Sequence, residues 1–183
     1  VGADADEVLL GLGYDSRVGH EFLRPGPGWG GSCFPKDTHA LLRIAESAGY
    51  DFALLRGVIE VNTEQFERVL AKIERALDGP IAGARVAALG LTFKAGTDDL
   101  RHSPALEVID RLLARGAVVT AFDPVIDESP RDGLVLAGDE YSACVDADVV
   151  VVLTEWDEFR FMDLDRLAAV VARRAVVDTR NVL

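Results

Sequence analysis

One thiol in this sequence stands where thiols do chemistry. Cys33 ends the run Pro25-Gly26-Pro27-Gly28-Trp29-Gly30-Gly31-Ser32, and Phe34-Pro35-Lys36-Asp37 follows at once. Glycine and proline at that density shape a backbone around something instead of filling a core. Pro35 suits the first turn of a helix, where its missing N–H costs nothing. Cys33 is therefore predicted just before a helix N-terminus. The helix dipole and free N–H groups favour a thiolate there, and Lys36 adds positive charge. These features point to a nucleophile. Asp37, one turn on, complements the positive helix end. It is also placed to orient a water or assist proton transfer. Cys144, within Tyr141-Ser142-Ala143-Cys144-Val145, has none of these neighbours and is expected to be a buried, inert thiol.

Two further groups carry cations. Gly90-Leu91-Thr92-Phe93-Lys94-Ala95-Gly96 runs on through Asp98 and Asp99 to Arg101, between a predicted strand and a predicted helix. Ligands of doubly wound sheets bind outside the carboxyl ends of the strands, and Lys94 and Arg101 suit an anion there. The spacing is not that of a glycine-rich dinucleotide fingerprint. Asp178-Thr179-Arg180-Asn181 follows the last predicted strand and puts Arg180 on the same sheet edge as Lys94. A forked guanidinium and a point-charge ammonium at one crevice suggest a phosphate-bearing ligand. Asp123 also ends a strand, but before Pro124 it reads as turn chemistry and not as a ribose-binding acid. His20, His39 and His102 share no spacing that suggests a triad or a metal. Trp156 is expected to pack.

The remaining sequence bounds these ideas. A chain of 183 residues with net charge -12 and 49% apolar content holds one large or two small domains with ample core. Such acidity argues against nucleic acid or anionic membrane as a bulk partner. Any anion must be met by local Arg and Lys. Two cysteines make no disulfide framework and no zinc site. No apolar run is long enough to span a bilayer, no signal-peptide pattern opens the chain, and a reducing cytoplasm fits. The chain starts at Val1 without Met and is read as part of something longer.

Two textures position the candidate residues. Residues 7 to 12 and 17 to 24 are predicted as short helical pieces. A helical stripe after Pro35 ends at Gly49. A long helix is predicted from about Phe52 to Leu77, with an apolar face extended enough to bury against a partner subunit as well as its own domain. Asp78-Gly79-Pro80 breaks it and marks the proposed boundary between region 1–79 and region 80–183. Beyond it strands and helices alternate. Strands are predicted at Arg85–Leu91, Ala117–Phe122, Asp148–Leu153 and Ala175–Asp178. Helices are predicted from Ser103-Pro104 to Gly116, over Asp139–Ala147 and over Asp163–Ala172. The segment around Pro124 and Pro130 reads as a polar loop. The fold class is therefore α/β: a Rossmann-like parallel sheet with right-handed crossovers, preceded by an all-helical region.

At these residues the sequence resembles the UDP-glucose 6-dehydrogenase family of nucleotide-sugar dehydrogenases. Gly28-Trp29-Gly30-Gly31-Ser32-Cys33-Phe34-Pro35-Lys36-Asp37 is similar to the family's catalytic-cysteine motif. Gly90 to Lys94, Thr97 to Arg101, Phe122-Asp123-Pro124, Thr154-Glu155-Trp156 and Arg180 to Leu183 resemble landmarks of its UDP-binding domain. The match runs nearly the whole chain in order. It implies a four-electron oxidation of a sugar 6-hydroxyl with NAD, through a thiohemiacetal and a thioester on Cys33, with Asp37 positioning water. By motif position, Phe22, Arg24, Gly26, Gly28, Trp29, Gly30, Phe93, Lys94 and Arg180 would hold the UDP-sugar. Lys36 and Arg101 would lie toward NAD. Arg17 resembles a residue that reaches the neighbouring subunit's ligand in a homodimer, and Asn62 matches a position in the dimer-forming helix.

The resemblance has gaps. The family's N-terminal domain with its glycine-rich NAD fingerprint is missing, as are the catalytic Lys and Asn of the central region. The chain alone is therefore expected not to turn over substrate. Trp29 replaces the usual Phe or Tyr. Phe34 favours UDP-glucose over GDP-mannose or UDP-N-acetylmannosamine, whose dehydrogenases more often carry Leu there. A non-catalytic nucleotide-sugar binding or dimerisation module is the alternative from another class, and intact Cys33 and Asp37 argue against it. An unrelated thiol hydrolase is a third, and no His pairs with Cys33 by spacing.

Overall fold

The computed structural model describes residues 2–21 and 23–183. Phe22 lies outside the described residues. Three helices come first: α1 (Ala5–Gly13), α2 (Phe34–Ser47) and α3 (Ala53–Leu77). The order then alternates as β1 (Arg85–Leu89), α4 (Pro104–Ala114), β2 (Val118–Phe122), β3 (Leu134–Leu136), α5 (Glu140–Cys144), β4 (Val149–Val152), α6 (Asp157–Arg160), α7 (Leu164–Val170) and β5 (Val176–Asp178). The five strands form one sheet in the order β3-β2-β1-β4-β5, and every pairing is parallel.

Alternation along the strands builds two cores. Val86, Ala88, Val149 and Val151 face α3 and α4. Ala87, Leu89, Val150 and Val152 face the opposite side, with Tyr141, Phe159 and Leu167 from α5, α6 and α7. β4 is buried along its whole length, as its run of Val requires of a strand covered on both faces. Helix starts follow their side chains. Ser103 caps α4 by accepting from Ala105 N at 3.2 Å, and its hydroxyl donates to Leu91 O at 2.6 Å. Asp139 caps α5 and Asp163 caps α7 in the same manner.

Three elements differ from the sequence expectation. Residues 17–21 and 23–24 are turn and irregular, not helical. Glycines and an Asp15 turn that binds Arg17 N at 2.9 Å outcompete a short helix there. β3 sits inside what reads as a polar loop. Three residues between Gly133 and Gly138 carry too little periodicity to be seen, and pairing with β2 makes the strand. α6 is one short turn between Trp156 and Phe161.

α3 changes role along its length. Phe66, Val69, Leu70, Ile73 and Leu77 lie in the core on the α4 side of the sheet. Leu54, Val58 and Val61, nearer its start, are exposed. The single apolar face read from the sequence thus serves two surfaces. The proposed boundary at 79 falls just after a helix whose second half belongs to the sheet's core.

Candidate functional site

The chain turns back at β1. Connections from β1 run outward through β2 to β3, and β4 and β5 lie on the other side. The crevice outside the carboxyl ends of β1 and β4 is thus the switch point where open α/β sheets bind ligands. Arg180 fills it. Asp178, the last residue of β5, builds the turn that delivers it: its carboxylate accepts from Arg180 N at 2.8 Å and from Val182 N and Leu183 N at 2.6 and 2.9 Å. Arg180 Nε then donates to Leu153 O after β4, and Nη2 to Phe93 O after β1, at 2.9 and 3.3 Å. The guanidinium is only 11% exposed, and Glu155 Oε2 lies 3.2 Å from Nη1. Burial pushes the Arg180 pKa down, and the Glu155 charge opposes that shift.

The β1–α4 loop that meets Arg180 is held from below by Asp123. This carboxylate is 3% exposed. It accepts from Leu91 N at 2.7 Å, Thr92 N at 3.1 Å and Trp156 Nε1 at 3.2 Å, with further bonds from the Thr92 hydroxyl and Val125 N. Asp123 is therefore neither a free ribose acceptor nor only a turn former. It ties the ends of three strands together. Trp156 packs, as expected, and its indole N–H is part of that tie. Lys94 stands exposed above the Phe93 ring, with Nζ 5.4 Å from the centroid.

The glycine loop docks on this frame. Gly31 N donates to His102 O at 3.2 Å. A β-carbon on Gly30 would fall 2.1 Å from that same oxygen, and one on Gly31, at φ +85°, 2.9 Å from the Phe93 ring. Only glycine permits both approaches. On the other side Asn62 of α3 grips Trp29: Trp29 N donates to Asn62 Oδ1 at 2.9 Å, and Asn62 Nδ2 donates to Trp29 O at 3.0 Å. Between the loop, α3 and Arg180 opens a cleft of about 720 Å³. Arg24, Gly26, Gly28, Trp29 and Arg180 line it, opposite the exposed half of α3.

Cys33 is an exposed free thiol at the N-cap position of α2, and its sulfur caps nothing. Ser32 Oγ is 3.8 Å away. Lys36 Nζ pairs with Asp37 Oδ1 at 3.0 Å. That bond raises the Lys36 pKa, and Cys33 contributes weakly in the same direction. Arg101 is raised mainly by its bonds to Asp99, again with a small contribution from Cys33. Two cations thus stand within the field of one sulfur. Asp99 is driven down to about 2 by its hydrogen bonds to the Arg101 side chain and backbone. Cys144 is instead buried, and burial pushes its thiol up to about 12.

The structure therefore gathers the predicted residues into two groups. Arg24, Gly26, Gly28, Trp29 and Arg180 share the cleft. Lys36 and Asp37 follow Cys33 in the first turn of α2, and Arg101 lies within electrostatic range of it. Phe93 bridges them, with its carbonyl on Arg180 and its ring on Gly31. Arg17 joins neither; it is 87% exposed and pairs with Asp15 at 2.6 Å.

Comparison with known proteins decides the lineage. Residues 87–183 match the profile of the UDP-glucose/GDP-mannose dehydrogenase family, UDP binding domain, and residues 1–64 match that family's central domain. The chain belongs to the UDP-glucose/GDP-mannose dehydrogenase family. Over all of this chain it is 44% identical to the UDP-glucose 6-dehydrogenase of Rhizobium meliloti strain 1021, of which it covers 42%. The same identity and coverage hold for UDP-glucose 6-dehydrogenase AglM of Haloferax volcanii. A solved UDP-glucose dehydrogenase from the archaeon Pyrobaculum islandicum superposes with TM-score 0.84 at 34% identity, over 99% of this chain and 41% of that one. The chain thus spans about two fifths of the length of these relatives.

Within this member of the family, four contributors to the site carry no sign of their role in the local sequence. Glu155 was only part of a landmark, and nothing local announces that it meets Arg180. Asn62 was legible as a helix position but not as the clamp on Trp29, because its partner lies 33 residues away. Gly57 and Gln65 of α3 line the cleft. Their spacing with Val58 and Val61 signals a helix stripe, not what it faces.

Proposed function

We propose that this chain supplies the nucleotide-sugar cleft and the nucleophile of an NAD-dependent dehydrogenase that oxidises UDP-glucose to UDP-glucuronate. The observation that carries the proposal is the shared cleft of Arg24, Gly26, Gly28, Trp29 and Arg180, built by the loop that ends in Cys33. Arg180 and Arg24 meet the diphosphate, with Lys94 at the margin and Phe93 and Gly30 shaping the walls. The sugar C6 then lies toward Cys33.

NAD, when bound, would supply the hydride acceptor for the two oxidations at C6. The residues fit the edge of such a cofactor: Lys36 and Arg101, both 70% exposed beside Cys33, suit its diphosphate. They do not make a complete site, because the acid at the end of β2, Asp123, is turned inward and engaged. The main NAD-binding domain therefore lies outside these residues, and this chain alone does not turn over. The Cys33 thiolate adds to the C6 aldehyde, forming an S–C bond and a thiohemiacetal whose oxygen takes a proton. Loss of that proton and of the C6 hydride leaves a thioester. Water, oriented by Asp37, attacks the carbonyl, and the S–C bond breaks to return the thiolate and release the carboxylate.

The exposed apolar residues of the helical region, among them Val8, Leu12, Ile44, Leu54 and Val58, support a homodimer in which Arg17 reaches the partner's ligand. The decisive test uses the protein joined to its hydride-accepting domain. Cys33→Ser is expected to slow glucuronate release by about 10³-fold or more. Release at the normal rate would sink the covalent mechanism.

A further inference from the structure

Arg180 has two main-chain anchors and one carboxylate neighbour, and the neighbour adds something the anchors do not. Bonds from Nε to Leu153 O and from Nη2 to Phe93 O already fix the plane of the guanidinium, because the fork is rigid. Glu155 is not needed to orient it. Glu155 Oε2 lies 3.2 Å from Nη1, yet it accepts no hydrogen bond and is shielded from solvent. It is the one buried side-chain polar atom without a hydrogen-bond partner among the described residues. An oxygen in that state is costly. What it contributes is charge beside a buried cation.

Nη1 also faces the cysteine-bearing loop: a β-carbon on Gly26 would fall 2.6 Å from it. The nitrogen that no main-chain carbonyl uses is therefore shared between Glu155 and the glycine edge of the cleft. Arg180 opens both on the cleft and on a smaller polar cavity of about 220 Å³, where Glu155 stands with Arg24 and Arg160.

We propose that Glu155 is a built-in counter-ion that competes with a ligand's phosphate for Nη1 of Arg180, and so sets how strongly phosphorylated nucleosides bind. The proposal rests on the nucleotide-sugar reading of the cleft. Its signature is a sign. A residue that merely positioned Arg180 would lose affinity when neutralised, whereas a competing counter-ion gains it, and only for charged ligands.

The test is an NMR titration of the full chain with UDP and with uridine. Glu155→Gln keeps the shape and removes the charge. It is expected to bind UDP at least about threefold more tightly, the scale of one screened charge a few ångströms from the ligand, with uridine unchanged. Arg180→Gln is expected to weaken UDP by about tenfold. Unchanged UDP affinity in Arg180→Gln overturns the cleft reading itself. Weakening there without tightening in Glu155→Gln overturns only the counter-ion, as does equal tightening of uridine. If Glu155→Gln does not fold, Glu155→Asp, which withdraws the charge by one methylene, is expected to tighten UDP by a smaller factor. No tightening in that folded variant counts equally against the proposal.

Discussion

The sheet region and the cysteine region of this chain are built to opposite rules. In the sheet, Val149 to Val152 are buried to the last residue, and Phe159, Leu89 and Val119 are sealed from solvent. In α2, which carries Cys33 at its start, no residue is buried; Leu41 and Ile44 are 48% and 66% exposed. The first region is held by cooperative hydrophobic burial, to which each sealed side chain contributes. The second is held by a seam of close backbone approaches: Gly30 and Gly31 against His102 and Phe93, and Trp29 against Asn62. The reactive group thus sits on the part with fewer internal contacts, where small displacements cost little. The cations that line the cleft are divided between the two: Arg24 rides the loop and Arg180 the sheet.

The largest expected effect tests the contrast directly. Phe159→Ala empties a fully buried site and is expected to cost about 3–5 kcal/mol in urea unfolding. Ile44→Ala in α2 is expected to cost less than about 1 kcal/mol. Equal costs would mean that the two regions share one core. A smaller effect probes the seam. Asn62→Ala removes both bonds to the Trp29 backbone and is expected to lower local stability by about 1–2 kcal/mol. Hydrogen exchange would read this as faster exchange at Gly28 to Gly31 with β1 and β4 unchanged; acceleration in the strands would show that the seam stabilises the sheet.

The smallest is electrostatic. Arg101 holds the Asp99 carboxylate at about 2, below its ordinary 3.8. A depressed carboxylate contributes stability above its unfolded value and loses it as pH falls through its folded value. The 97–101 loop should therefore stay pinned through pH 4 and loosen only between about pH 3.8 and about 2. In Arg101→Gln the carbon shift of the Asp99 carboxyl should titrate clearly above 2 and toward 3.8, short of it because the bond from the residue 101 backbone N–H remains. A midpoint still near 2 would assign the depression to another group.

What could be read in advance follows from how local each signal is. The Val run of β4, the Ser103-Pro104 start of α4, the Pro35 start of α2 and the Gly49 stop are written within a few neighbouring residues. They emerged where expected, to within a residue or two. β3 was not legible, because three residues need β2 beside them to be a strand. The turn after α1 was misread because helical spacing there competes with an Asp15 side chain that binds Arg17 N.

For the site, the sequence by itself determined the chemical types: a thiol before a helix, glycines that must yield space, and cations after strands. The tertiary structure decided their company. It buried Arg180 beside Glu155 and left Lys94 exposed over Phe93. It turned Asp123 inward to join three strand ends, and it gave the start of α3 to the cleft and the rest to the core. The physical reason is the range of the forces. Dihedral preferences and capping bonds act over a few residues. The partners that fix charge and burial here lie tens of residues away, and only the packed sheet brings them within hydrogen-bonding distance.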